Sequence, residues 1–84
     1  MTAYITRYAL TDGIWKVEGE VSKETPTLFY FKRSGNDMTQ YAHGDDWHLT
    51  FEAAKVRAEK MRTAKIASLN RQIGKLTLMT FTEP

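Results

Sequence analysis

Alternating apolar and polar positions in the first half of the chain predict a β-hairpin over residues 4–21. Asp12-Gly13 is a preferred pair for a two-residue type I′ turn, whose central residues both need positive φ. This turn places Arg7 opposite Glu18 and gathers the larger apolar side chains on one face: Tyr4, Tyr8, Leu10, Trp15, Val17 and Val21. A shift by one residue would mix the two faces and separate the charges, so the pattern favours this register.

A second hairpin is predicted after a polar loop that ends at Pro26. Residues 27–33 are rich in aromatic side chains, residues 34–37 are turn-forming, and residues 38–43 return. Pairing Arg33 with Met38 puts Phe29, Phe31, Met38 and Ala42 on one face and Leu28, Tyr30, Tyr41 and His43 on the other. The apolar surplus on the second face indicates a partner-binding surface, contact with another subunit, or tyrosines whose hydroxyls simply lie at the rim of the sheet.

The second half of the chain predicts one long amphipathic helix over residues 50–80. Thr50 is a suitable N-cap, and Glu52 complements the positive end of the helix dipole. At 100° per residue one stripe collects Phe51, Ala54, Ala58, Met61, Ile66, Leu69, Ile73 and Leu76. Residues 75–81 could instead form a fifth strand after Gly74, but Leu76 continues the stripe without a break, which favours the helix.

The predicted fold is therefore a single α+β domain, with a four-stranded antiparallel sheet over residues 1–49 followed by the helix. A helix of this length spans roughly 43 Å, whereas a compact chain of this size is about 30 Å across. Ile66, Leu69, Ile73 and Leu76 have the spacing of a short heptad seam, so we expect a homodimer through the part that overhangs the sheet. If residues 75–81 formed a strand, the helix would be shorter and most of the support for a homodimer would be lost.

Composition excludes several classes of protein. The chain has no cysteine, so disulfides and thiolate metal sites are absent. It has no apolar stretch of about 20 residues and no signal-peptide pattern at its start, so we expect a cytoplasmic protein without a membrane span. His43, Asp45, Asp46 and His48 could bind a divalent ion, but a polar loop with Trp47 closing the core explains them as well, and we expect no metal or cofactor. Serines and glycines form no catalytic motif, which predicts a non-enzymatic protein.

Charge is uneven along the chain although the net charge is only +2. Residues 50–80 carry seven cations against two acids, while the rest carries five against eight. The basic side of the helix, with Arg57, Lys60, Arg71 and Lys75, either contacts nucleic-acid phosphates or is an ordinary solvated face.

Two stretches, residues 7–14 (RYALTDGI) and residues 52–69 (EAAKVRAEKMRTAKIASL), resemble short uncharacterised proteins of tailed bacteriophages and prophages. The resemblance covers the two ends of the chain, leaves residues 22–44 unmatched and includes no catalytic residue. It implies a phage accessory protein that binds a host protein complex in the bacterial cytoplasm, such as a defence nuclease or a CRISPR complex, in the manner of anti-CRISPR inhibitors. A component of virion assembly is a further alternative. We expect the protein-binding surface to contain Tyr30, Lys32, Arg33, Tyr41 and Trp47, because tyrosine, tryptophan and arginine dominate binding hot spots.

Overall fold

The structure is a computed structural model that describes residues 1–33, 35 and 37–84. Its elements in chain order are β1 (Thr2–Ile5), α1 (Ala9–Asp12), β2 (Trp15–Val21), β3 (Leu28–Phe31), β4 (Gln40–His43), a 3-10 turn (Gly44–Asp46), β5 (Trp47–His48) and α2 (Phe51–Leu78). The strands form one antiparallel sheet in the order β4-β3-β2-β1-β5. The α+β prediction is confirmed, with a short fifth strand added at the edge beside β1.

The predicted register of the first hairpin is wrong. Tyr4 pairs with Lys16 instead of Val21, and residues 9–12 form α1 in place of the ends of two strands. A type I′ turn needs positive φ at Asp12, but among the described residues only glycines have it, Gly13 with φ 78°. Gly13 instead ends α1, because its N–H donates to the carbonyl of Ala9 at 3.2 Å.

This change of register moves several side chains to new environments. Tyr4 lies on the opposite face from the core and packs edge-on against Phe51, with ring centroids 5.9 Å apart. Tyr8 and Leu10 are 40% and 45% exposed. Glu18 pairs with Thr2, so Arg7 does not lie opposite Glu18 as predicted.

The second hairpin has the predicted register. Phe29 pairs with Ala42 and Tyr30 with Tyr41, and the phenylalanines of β3 and Ala42 are buried as expected. Met38 is the exception, because it precedes β4 and is 72% exposed. Of the predicted turn, Ser34 and Asn36 lie outside the described residues.

The sheet curls around its own core. The buried side chains are Ala3, Ile5, Val17, Phe29, Phe31 and Ala42. Trp47 of β5 stacks on Phe29 of β3 with centroids 5.2 Å apart, so non-adjacent strands face each other across the core. Buried Thr6 joins the 3-10 turn to the end of β1, because its N–H donates to the Asp46 carbonyl at 2.8 Å and its hydroxyl donates to the Asp45 carbonyl at 3.1 Å. The core therefore lies inside the curled sheet.

Helix α2 begins as predicted, with the Thr50 hydroxyl accepting the Ala53 N–H at 3.2 Å, and it continues to Leu78, so residues 75–78 are helical. It contacts α1, β1 and β5, and Ala54 is buried there. Beyond Arg62 every large side chain of the helix is exposed. The molecule measures 60 × 28 × 26 Å. The predicted overhang is thus present in the single chain.

Candidate functional site

An open cleft lies between the free edge of β4 and the segment that joins β1 to β2. Its volume is about 360 Å³. It is lined by Ile5, Arg7, Tyr8, Trp15, Phe31, Gln40, Tyr41 and His43. Ile5 and Phe31 are buried core residues that form its floor. We call this opening the aromatic cleft.

Two guanidinium groups border the aromatic cleft. Because α1 turns the chain immediately after β1, Tyr8 lies beside Trp15, with ring centroids 5.2 Å apart. The Cζ atom of Arg33 lies 3.6 Å from the centre of the Trp15 ring, and that of Arg7 lies 5.3 Å from the centre of the Tyr8 ring. Cation–π contacts of this kind orient a guanidinium while leaving its charge unneutralised.

The charge of the aromatic cleft is positive. None of the described residues that line it carries a carboxylate. Within the described part of the chain, the one ion pair joins the Met1 amino group to Glu18 at 3.7 Å, so neither Arg7 nor Arg33 is neutralised in this way. A cleft bordered by two unpaired cations attracts anionic groups.

The β4 side of the cleft offers backbone hydrogen bonds. β4 is the last strand of the sheet, and the Gly44 N–H donates to the Thr27 carbonyl at 2.9 Å, which extends its pairing with β3. Along an edge strand, the backbone N–H and C=O groups of successive residues point alternately toward the neighbouring strand and away from it. Because Gly44 bonds to Thr27 on the β3 side, the backbone groups of Tyr41 and His43 point away from β3. An open edge of this kind can pair with an extended segment.

Two of the residues predicted for a binding surface lie at this cleft. Tyr41 lines it and is 51% exposed, and Arg33 stacks on Trp15. Tyr30 is the cross-strand neighbour of Tyr41, and it lines an adjacent depression together with Lys32. Of these four predicted residues, two therefore lie at the aromatic cleft and two at the adjacent depression.

Tyr30 and Trp47 are held by intramolecular contacts. The Tyr30 hydroxyl donates to Glu20 at 2.6 Å, and this hydrogen bond is the main cause that raises the pKa of Tyr30 above its ordinary value. Trp47 is half-buried against Phe29, and its indole N–H donates to the Thr27 carbonyl at 2.8 Å. Trp47 thus packs on the core, separately from the aromatic cleft.

Sequence reasoning missed the contribution of Arg7, Tyr8 and Trp15 to this site. All three had been placed in the first hairpin, where the predicted partner of Arg7 was Glu18. The signal that could have found them is Gly13, because glycine commonly ends helices as well as forming turns. A short helix before Gly13 places residues 7 and 8 at a chain reversal next to Trp15.

The other candidate residues lie elsewhere. On α2, Lys60, Arg71 and Lys75 are exposed, whereas Arg57 is half-buried and its Nε has no hydrogen-bond partner among the described residues. His48 lies in β5, where its Nε2 is 3.3 Å from the Thr6 hydroxyl. Across residues 1–33, 35 and 37–84, no three histidine or carboxylate side chains are grouped closely enough to hold a metal ion.

Comparison of the chain with protein-family models, curated protein sequences and solved structures finds no match. Among the described helices, none is both long and apolar enough to cross a membrane.

Proposed function

We propose that this chain is a non-enzymatic binding protein that holds an extended, acidic segment of a partner protein in the aromatic cleft. The observation that carries the proposal is the row of contacting groups Arg7, Tyr8, Trp15 and Arg33, next to the free edge of β4. Tyrosine, tryptophan and arginine supply most hot-spot energy in protein interfaces. An open strand edge supplies main-chain hydrogen bonds, which give affinity with little dependence on sequence.

The chemistry of the cleft limits the partner. Its apolar floor takes an aliphatic or aromatic side chain, and its two unpaired guanidinium groups take carboxylates. Together with the resemblance to phage accessory proteins, this supports a host protein complex in the bacterial cytoplasm as the partner, and inhibition of a defence nuclease or CRISPR complex as the outcome.

Affinity capture from host bacterial lysate tests the proposal, with and without nuclease treatment and with mass spectrometry as readout. The wild-type chain is expected to retain one protein complex after nuclease treatment. Arg33→Ala and Tyr41→Ala are expected to lose it, because both side chains border the cleft. The control Arg71→Ala, on the exposed helix far from the cleft, is expected to retain it. Equal capture by all three variants would contradict the assignment of the cleft.

A second candidate function is nucleic-acid binding by the basic side of α2. Lys60, Arg71 and Lys75 are exposed, and in the part of the chain that the structure describes no carboxylate pairs with them. Phosphate contacts of this kind weaken steeply between about 50 and about 200 mM salt. Fluorescence anisotropy with labelled single- and double-stranded DNA measures this dependence. Absence of binding at the lower salt concentration, or binding unchanged by Lys60→Ala with Arg71→Ala, excludes this function.

A further inference from the structure

The overhanging part of α2 exposes a line of aliphatic side chains. Ile66, Leu69, Ile73 and Leu76 are 51%, 43%, 59% and 67% exposed. Their spacing is that of the a and d positions of a coiled coil. Four side chains of this exposure fall well short of the roughly 800 Å² per partner that a stable interface buries. A dimer through this seam alone is too small, so further contacts are needed.

The face that carries the seam continues toward the body of the protein as a cleft between α1 and α2. This interhelix cleft has a volume of about 260 Å³ and is lined by Ala9, Leu10, Lys55, Ala58, Glu59 and Arg62. At 100° per residue, its α2 residues share the face of the seam. The seam and the interhelix cleft therefore form one continuous surface.

The position of α1 determines how a second copy can approach. α1 lies against this face of α2 between Lys55 and Arg62, so a parallel partner helix would meet α1 at that level. In an antiparallel pair, Ile66 faces Leu76 of the second copy and Leu69 faces Ile73. The helix of the second copy then ends at Leu78 opposite Ala64, just before α1. The antiparallel arrangement fits the available space.

The segment after α2 reaches the interhelix cleft only in another copy. Met79 leaves the helix in an extended conformation, with φ −64° and ψ 136°, and Phe81 is 88% exposed. Phe81 lies about 10 Å beyond Leu78 when the chain is extended, which in the antiparallel pair reaches the level of Ala58. The interhelix cleft of the same chain is roughly 30 Å back along α2 from Leu78, beyond the reach of its own Phe81.

We propose that two copies of this chain pair antiparallel through the seam and that Phe81 of each copy occupies the interhelix cleft of the other. Leu10 and Ala58 supply the apolar walls for the ring. Glu83 then lies level with Lys55 of the other copy, which gives complementary charge. The arrangement is two-fold symmetric and closes on itself, as in most homodimers. It involves neither Arg33 nor Tyr41, so it can fail without affecting the proposed function.

Sedimentation equilibrium over a range of concentrations tests the dimer. The wild-type chain is expected to dimerise, and Phe81→Ala is expected to raise the dissociation constant by about tenfold or more. Thr80→Ala is the matched control, because successive side chains of an extended segment point to opposite sides. A wild-type chain that stays monomeric overturns the proposal. So does a Phe81→Ala variant that dimerises as tightly as the Thr80→Ala control.

Cysteine cross-linking tests the orientation in a chain that has no cysteine of its own. A Leu10→Cys chain mixed with a Phe81→Cys chain is expected to form a disulfide-linked heterodimer under mild oxidation. A Val56→Cys chain mixed with Phe81→Cys is expected to do so far less, since Val56 is 54% exposed on another face of α2. Equal linking of the two mixtures contradicts the proposed position of Phe81. Efficient self-linking of a Leu69→Cys chain indicates a parallel pair and overturns the orientation.

Discussion

Gly19 in β2 is the glycine at which the addition of one methyl group is expected to lower the free energy of unfolding most. A Cβ atom there would lie 2.2 Å from the carbonyl oxygen of Tyr30 and 2.8 Å from the ring of Phe29. Ordinary contacts begin near 3.4 Å, so the atom cannot be accommodated by a rotamer change. Phe29 is fully buried, and the Tyr30 oxygen belongs to the paired backbone of β3. Gly19→Ala must therefore move β2 away from β3.

The size of this effect follows from two opposing terms. Overpacking a core costs about 1–3 kcal/mol, and displacement of paired backbone puts this case at the upper end. Replacing glycine by alanine also lowers the conformational entropy of the unfolded chain, which stabilises the folded state by about 0.4–1 kcal/mol. We therefore expect Gly19→Ala to lower the free energy of unfolding by about 2–2.5 kcal/mol. A domain of this length has a total of only roughly 4–12 kcal/mol.

Urea denaturation followed by far-ultraviolet circular dichroism, at one fixed protein concentration, measures this change. Gly74→Ala is the matched control: it makes the same chemical change where a Cβ meets nothing within 4 Å. Because Gly74 lies inside α2, alanine is expected to raise the free energy of unfolding by up to about 1 kcal/mol. A Gly19→Ala chain whose free energy of unfolding is within about 0.5 kcal/mol of the wild-type value would contradict the expected clash with β3.

Three further predictions concern single hydrogen bonds. Thr50→Ala removes the N-cap of α2 and is expected to lower the free energy of unfolding by about 1 kcal/mol in urea titration. Trp47→Phe keeps the stacked ring but removes the donor to the Thr27 carbonyl, at an expected cost of about 1 kcal/mol by the same assay. Glu20→Gln is expected to lower the pKa of Tyr30 toward its ordinary value, measured by ultraviolet difference titration of the phenolate. Since the pKa of Tyr30 is raised in the folded state, its contribution to stability is present below about pH 10 and is lost as the pH rises through the folded pKa.

Matched variants separate the loss of each hydrogen bond from an unspecific effect of the substitution on stability or charge. Thr63→Ala, within the same helix, removes a hydroxyl that donates to the Glu59 carbonyl in the preceding turn, and it is expected to change stability less than Thr50→Ala. Glu24→Gln is the charge control for Glu20→Gln. A Tyr30 titration midpoint that responds equally to both substitutions contradicts the role of the Glu20 hydrogen bond.

Local sequence patterns were sufficient to predict the second hairpin and α2. The register of β3 with β4 follows from which side chains must share a face, and Thr50 marks the helix start because a cap acts within one turn. In the same way, the a and d spacing of the seam predicted a surface that the sheet cannot cover, and the exposure of Ile73 and Leu76 agrees with it.

The first hairpin and the aromatic cleft depended on contacts between distant parts of the chain. Asp12-Gly13 is compatible with both a hairpin turn and a helix end. The bond from the Thr6 N–H to the Asp46 carbonyl ends β1 before a long hairpin could form. The cleft then joins Arg7, Trp15 and Arg33, which come from separate segments and carry no shared motif. Elements whose stability is local could therefore be predicted from sequence patterns. The register of β1, and with it the site, depends on core packing across the whole curled sheet, so no local pattern could predict it.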